Sequence, residues 1–245
     1  MSLDFNFSPE QEEFRAYVRD FAQREIAPYV KEWDDVEQLP THDIIPKMGK
    51  AGLIGLAAPK EMGGHGKDYI TLGICIEELG RVDTSCALIC SVNNTMATLI
   101  PGWGDDVVRK VFRGENLLSI ATSEEDAGSD VTNMQTEAVV DGDDFLITGR
   151  KIHVSIMPGA TYMGVTAWVK GDGTNKPRIA FIKVPADAPG ISCEQMEEMG
   201  ARGHQLGIVH FKNVRVPQAN VLGSKAEGKK LLYARWGVSR CLSAL

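Results

Sequence analysis

Residues Leu117–Thr148 read LLSIATSEEDAGSDVTNMQTEAVVDGDDFLIT, and the fold turns on this stretch. Before it, apolar residues recur at helical spacing; from here on they come in short runs. Leu117–Thr122, Glu137–Val140 and Phe145–Thr148 are such runs, and the DGDD cluster at 141–144 separates the last two as a turn. Tyr162–Val169, Arg178–Val184 and Val209–Phe211 continue the pattern, with GDGTNK at 171–176 as another turn. Short strands joined by polar turns predict an antiparallel β-sandwich or small β-barrel.

On the N-terminal side the reading is all-α. Ser8 caps a helix, Pro9 fits its first position and Gln11 completes a capping box. Phe14, Tyr17, Val18, Phe21 and Ala22 then form one buried stripe. A second helix is predicted over about 42–51, stopping at Gly52, and a third over 69–81. Asp83-Thr84-Ser85 caps an apolar helix running to about Leu99, and a short one fits Asp105–Phe112. From about Glu227 helical character returns, through Leu231, Leu232, Ala234 and Arg235, up to Leu245. The predicted class is α+β. An N-terminal all-α domain covers 1–115 and a middle β-barrel or sandwich domain 116–222. Residues 223–245 are expected to begin a C-terminal helical domain whose remainder is missing.

Composition narrows the function classes. With 43% hydrophobic and 24% charged residues in 245, the chain is neither disordered, collagen-like nor a disulfide miniprotein. Its 33 acidic and 26 basic side chains give a net charge of −7, which excludes general nucleic-acid or anionic-membrane binding. Residues 221–245 differ: Lys225, Lys229, Lys230, Arg235 and Arg240 face only Glu227. That stretch is either a solvated helix face or an attractor for an anionic ligand.

Five cysteines, none in a C-x-x-C pair, fit no disulfide framework and no structural zinc site. Cys86 and Cys90 lie one helical turn apart in an apolar run and read as buried thiols, so a reducing compartment is expected. The first ten residues hold no basic residue and no apolar core of a signal peptide. No apolar stretch reaches the ~18–20 residues that span a bilayer. The expected location is cytoplasmic, or the mitochondrial matrix only if a transit peptide has been removed.

Several motifs fail. Gly223 to Lys229 has the spacing of a phosphate loop, but Lys230 stands where a hydroxyl should hold magnesium. There is no G-x-G-x-x-G after a strand, no G-x-S-x-G and no H-E-x-x-H. The five histidines lack ligand spacing, so no metal is expected. What remains is SIATSEEDAGSD at 119–130, followed by TGRKIHVS at 148–155. A strand ending in Thr122 and Ser123 that runs into a Gly-Ser turn offers N–H and hydroxyl groups to a polar, planar or anionic ligand. From composition alone, a polar surface turn is the plainer reading.

The whole pattern resembles the acyl-CoA dehydrogenases, from Phe5 to about Arg240. RDFAQREIAP, GLIGLAAPKEMGGHG, EELGRVDTS and SVNNT resemble that family's helical N-terminal domain in order and spacing. SEEDAGSD resembles its T-E-P-x-A-G-S-D signature and TGRKIHVS its N-G-x-K-x-W-I-T segment. MGARGHQLGIVHFKNVRVPQANVLG resembles the stretch that leaves its β-domain. The resemblance implies FAD, whose flavin ring lies against the β-domain with an acyl thioester on its other face. Ile120, Thr122, Ser123, Gly128, Ser129, His153, Val154 and Ser155 are the implied cofactor-binding residues. Ser129, toward pyrophosphate or pantetheine, and Arg240 are the implied substrate contacts.

Departures from the family are specific. His153 stands for its tryptophan, Glu125 for the signature proline, and Asn93 for a histidine of many relatives. Arg240 survives from a D-x-x-R motif whose acid position is Gly237. Ser239, just before it, cannot be a base. The carboxylate that takes the α-proton is therefore expected beyond Leu245, and no catalytic base is assigned. Glu124 and Asp130 come next in line should the chain prove active alone. The implied reaction is α,β-dehydrogenation of an acyl-CoA, with electrons passed to an electron-transferring flavoprotein and a homotetramer as the assembly. A monooxygenase-like relative and a non-catalytic partner chain are the alternatives. The isolated chain is expected to hold FAD weakly or not at all, to lack turnover, and to expose Leu231, Leu232 and Trp236.

Overall fold

In the computed structural model, residues 6–174 and 176–244 are described. Phe5, where the likeness begins, and Leu245, where the missing domain was expected to continue, lie outside them. Among the described residues, six α-helices precede the sheet. These are α1 (Pro9–Glu25), α2 (Val30–Asp35), α3 (Thr41–Lys50), α4 (Tyr69–Gly80), α5 (Thr84–Leu99) and α6 (Asp105–Phe112). The Ser8 capping box forms as read, with Ser8 Oγ accepting from Gln11 N at 3.2 Å and Ser8 N donating to Gln11 Oε1 at 2.9 Å. Asp83 Oδ1 caps α5 by accepting from Cys86 N at 2.6 Å. The short helix α2 was not foreseen; no side chain caps it, and of its six residues only Trp33 is buried.

The α4–α5 pair is the core of the helical part. Both helices are buried on most sides, so they read as apolar runs rather than amphipathic stripes. Asn94 makes the buried pair tolerable at its polar end. Its Oδ1 accepts from Gly55 N at 2.9 Å and Leu56 N at 3.0 Å, while Nδ2 donates to the Leu53 and Cys90 carbonyls at 3.0 Å each. Asn93 joins helix to sheet: its Oδ1 accepts from Leu118 N at 2.9 Å. Gly114, at φ +74°, lets the chain leaving α6 lie against α3. A Cβ there would sit 2.3 Å from the Ile45 carbonyl oxygen.

Seven strands follow among the described residues: β1 (Leu118–Ala121), β2 (Glu137–Asp141), β3 (Asp144–Val154), β4 (Tyr162–Lys170), β5 (Arg178–Pro185), β6 (Ile191–Gln195) and β7 (Gly207–Pro217). The expectation of a wholly antiparallel sheet is corrected here. β1 and β2 both pair parallel with β4, whereas β2–β3, β3–β7, β4–β5 and β6–β7 are antiparallel. β1 lies along Tyr162–Val165 and β2 along Trp168–Lys170, so the two sit end to end on one edge of β4, with β5 on the other. The sheet is mixed and curled rather than a set of hairpins. Two strands run longer than predicted, because TGRKIHV continues β3 and the polar KNVR segment continues β7.

The last helix, α7 (Gly228–Leu242), packs on α5 and β5. Its inward stripe is Gly228, Leu232, Arg235, Ser239 and Leu242. This corrects the expected exposed surface: Leu232 is fully buried, Leu231 is half-buried against the helical core, and Trp236 is half-buried against the apolar group of Ala127, Val131, Met134, Ile179 and Leu232. An apolar groove of about 390 Å³ opens instead between α4 and the far end of α7, beside Tyr69, Ile70, Val238 and Cys241.

Candidate functional site

The two sequence segments singled out above run side by side. Ile152 N donates to the Ser123 carbonyl at 2.9 Å, and Ser119 Oγ donates to the Ser155 carbonyl at 2.5 Å. The end of β1 is thereby fastened along the end of β3. After Ser123 the chain makes a tight turn, in which Glu124 N donates to Ala127 O at 3.0 Å and Ala127 N to Glu124 O at 3.2 Å. Gly128, Ser129 and Asp130 emerge from it exposed.

A buried ion pair holds this arrangement. Lys151 Nζ, on a side chain with no solvent exposure, lies 2.8 Å from Glu124 Oε1, 3.2 Å from Thr166 Oγ1 and 3.3 Å from the Thr122 carbonyl. Glu124 also accepts from Gln135 N at 2.5 Å, Thr136 N at 3.1 Å and Thr136 Oγ1 at 2.6 Å. Thr166 lies where β1 has left β4 and β2 has not yet joined it. The pair therefore plugs the break in that edge. Burial pushes the Lys151 ammonium down to about 8, with Glu124 opposing part of that. Burial raises Glu124, but Lys151 and the donors around it outweigh that, and the carboxyl sits below its usual range.

These contacts decide which carboxylates can act as bases. Glu124 is locked into the plug, and Glu125 pairs with Arg150. Asp130 caps the short turn Val131–Asn133, accepting from Thr132 N at 3.0 Å and Thr132 Oγ1 at 2.5 Å, and these bonds hold its carboxyl low. Each of the three has a structural task.

What the site leaves open is hydroxyl. The side chains of Thr122, Ser123, Ser129 and Ser155 make no hydrogen bond to any described residue, although Thr122 and Ser155 are buried. Around Gly128 there is open space. His153 is exposed and held at φ +54°, an uncommon conformation for a non-glycine residue, and Ile156 is at +57°. The β3–β7 register slips between Lys151 and Val154, which is where His153 is pushed out of the ladder. Of the other implied cofactor residues, Val154 is fully buried in the sheet core, and Ile120 is half-buried between the helical core and the apolar group of Ala127, Val131, Met134, Ile179 and Leu232.

The implied substrate arginine lies near the end of α7. Arg240 is exposed and stacks on Trp236, with its guanidinium 4.6 Å from the ring. It stands about 12 Å along α7 from Leu232, the residue that packs against Ala127 and Val131 of the signature turn. Ser129 and Arg240 are not brought together. The arginine of α7 that faces inward is Arg235, only 6% exposed, with a buried Nε that has no partner, and no acid paired with it, among the described residues. Burial pushes it down to about 10. The signal was present in the sequence, since Arg235 lies seven residues after Gly228 and three after Leu232, on the helix's buried stripe.

The family models for the acyl-CoA dehydrogenase N-terminal and middle domains match residues 8–115 and 119–214. A probable acyl-CoA dehydrogenase of Bacillus subtilis, YngJ, is 32% identical over 99% of this chain, which spans 66% of that relative's length. A chain from the electron transferring flavoprotein structure of Acidaminococcus fermentans superposes with a TM-score of 0.88 at 27% identity, covering 98% of this chain and 64% of its own. The acyl-CoA dehydrogenase of Bacillus anthracis, solved in complex with FAD, gives 0.87 at 21% identity, covering 97% and 41%. With its helical part, its curled sheet and its signature turn all matched in order, the chain belongs to the acyl-CoA dehydrogenase family.

Proposed function

We propose that this chain forms the flavin-facing part of an FAD-dependent dehydrogenase that converts an acyl-CoA thioester to its trans-2-enoyl product. The observation that carries the reading is the group of unpartnered hydroxyls at the paired ends of β1 and β3. Ser123 and Ser155 would hold the polar edge of the flavin, while Gly128 and Ser129 give an open turn for pyrophosphate or pantetheine. His153, pushed out of the ladder, offers an imidazole face to the ring. Bound FAD supplies the acceptor for the hydride that leaves the β-carbon. The α-proton goes to a carboxylate, and Glu124, Glu125 and Asp130 are unsuited to take it. Arg235, a cation without a counter-ion behind the signature turn, supports an anionic or strongly dipolar ligand on that side. Electrons would pass to an electron-transferring flavoprotein, and a cytoplasmic homotetramer remains the proposed setting.

An absorption spectrum tests this directly. Reconstituted with FAD in an assembly that also supplies the base, the protein should show a bound-flavin band that Ser155→Ala weakens at unchanged melting temperature. Acyl-CoA should bleach that band without oxygen. Absence of flavin binding by that assembly under saturating FAD would sink the reading.

A further inference from the structure

A second polar cavity, of about 310 Å³, lies between the start of α3, the start of β1 and the loop joining β6 to β7. We propose that it binds a small carboxylate with a short alkyl chain, separately from the flavin-facing surface. It opens at the Leu117 end of β1, away from Thr122 and Ser123.

Two independent observations support this. The ten-residue helix α3 starts behind Pro40, and no side chain caps it. Thr41, Asp43 and Ile44 find backbone acceptors in Leu39 or Pro40, but the His42 N–H finds none. The positive end of a helix with a free N–H favours an anion. On the facing wall stands Gln205. It is only 7% exposed, it lines the cavity, and its amide makes no hydrogen bond to any described residue. A side chain so largely buried, with its amide lining the cavity and uncommitted to the protein, is placed to bond a ligand there.

The chemistry of the walls selects among anions. Thr41 offers a free hydroxyl, and Thr161, which accepts from Leu117 N at 3.0 Å, still has its proton to donate. No lysine or arginine lines the cavity, so a phosphate dianion would lack counter-charge, whereas one carboxylate matches one helix end. Glu115 is there too, but Arg113 holds it in a two-pronged pair at 2.6 and 2.9 Å. Leu39, Leu117 and Pro158 give the alkyl chain an apolar wall.

Butyrate is the probe. Titrated into the protein at constant ionic strength, it should raise the melting temperature saturably by about 2–5 °C, while sulfate should not. Gln205→Leu should abolish the rise and Thr41→Val should reduce it, whereas Ser129→Ala should leave it intact. If Gln205→Leu fails to fold, Thr41→Val decides alone. No saturable rise, an equal rise with sulfate, or a rise undiminished in the folded variants would overturn the proposal. Loss of the rise in Ser129→Ala would also overturn it, by placing butyrate at the thioester surface.

Discussion

Lys151 shows how a single side chain can be indispensable without being favourable. Its charge is buried, and the attraction of Glu124 only partly offsets the desolvation. Removing one partner is a different matter, because the other stays buried and uncompensated. Lys151→Met should cost about 3–5 kcal/mol in chemical denaturation, and Lys151→Met with Glu124→Leu much less. Arg235 has no partner to lose. Arg235→Met should raise the melting temperature of the ligand-free protein and weaken acyl-CoA binding by about tenfold or more; loss of both stability and binding would make it structural. His204 takes up its proton at lower pH than an ordinary histidine. Burial pushes it down to about 4, and its Nε2 has no partner among the described residues. The unfolded chain, at the usual value near 6.5, binds the proton first as pH falls. Stability should therefore drop by about 2 kcal/mol between pH 7.5 and 5, a loss that His204→Gln should largely remove. Sequence reading found the hydroxyls of Ser123 and Ser155 because a signature carried them. It missed Arg235 despite the spacing from Gly228 and Leu232, because a basic residue in a basic stretch reads first as part of a solvated face.

At the level of elements, the helices were legible where capping and periodicity agreed. α4, α5 and α6 begin and end within a residue or so of the predicted limits, because Asp83 and the apolar runs leave little choice. The strands were legible as runs but not as partners. Nothing local distinguishes a strand that will pair with its neighbour from one, like β1, that pairs with a strand far along the chain. β6 was invisible because four of its five residues are exposed, so no apolar alternation marks it. Where elements meet, single residues decide. Asn94→Ala would strand two buried N–H groups of the Gly55–Leu56 segment and should cost about 3 kcal/mol by urea titration. Gly114→Ala would force a Cβ into α3 at a backbone angle that favours glycine; it should abolish soluble expression or lower the melting temperature steeply.

Across the whole molecule, the proposed flavin-facing surface arises where three parts converge: the ends of β1 and β3, the signature turn and α7. Only the first two were visible as motifs. Their meeting depends on the edge of β4, which β1 and β2 occupy one after the other. That shared edge has a consequence in time. β2–β3 and β4–β5 are antiparallel neighbours in sequence and close with short loops, so they can form early. β1 can dock only after β4 exists, and β7 must return from far along the chain to reach β3. The pocket is thus assembled last, by the most distant contacts. In a refolding experiment followed by pulsed hydrogen exchange, amides of Phe181 and Ile182 should gain protection before those of Ser119 and Ile120. Any flavin added during refolding should bind only in the final phase.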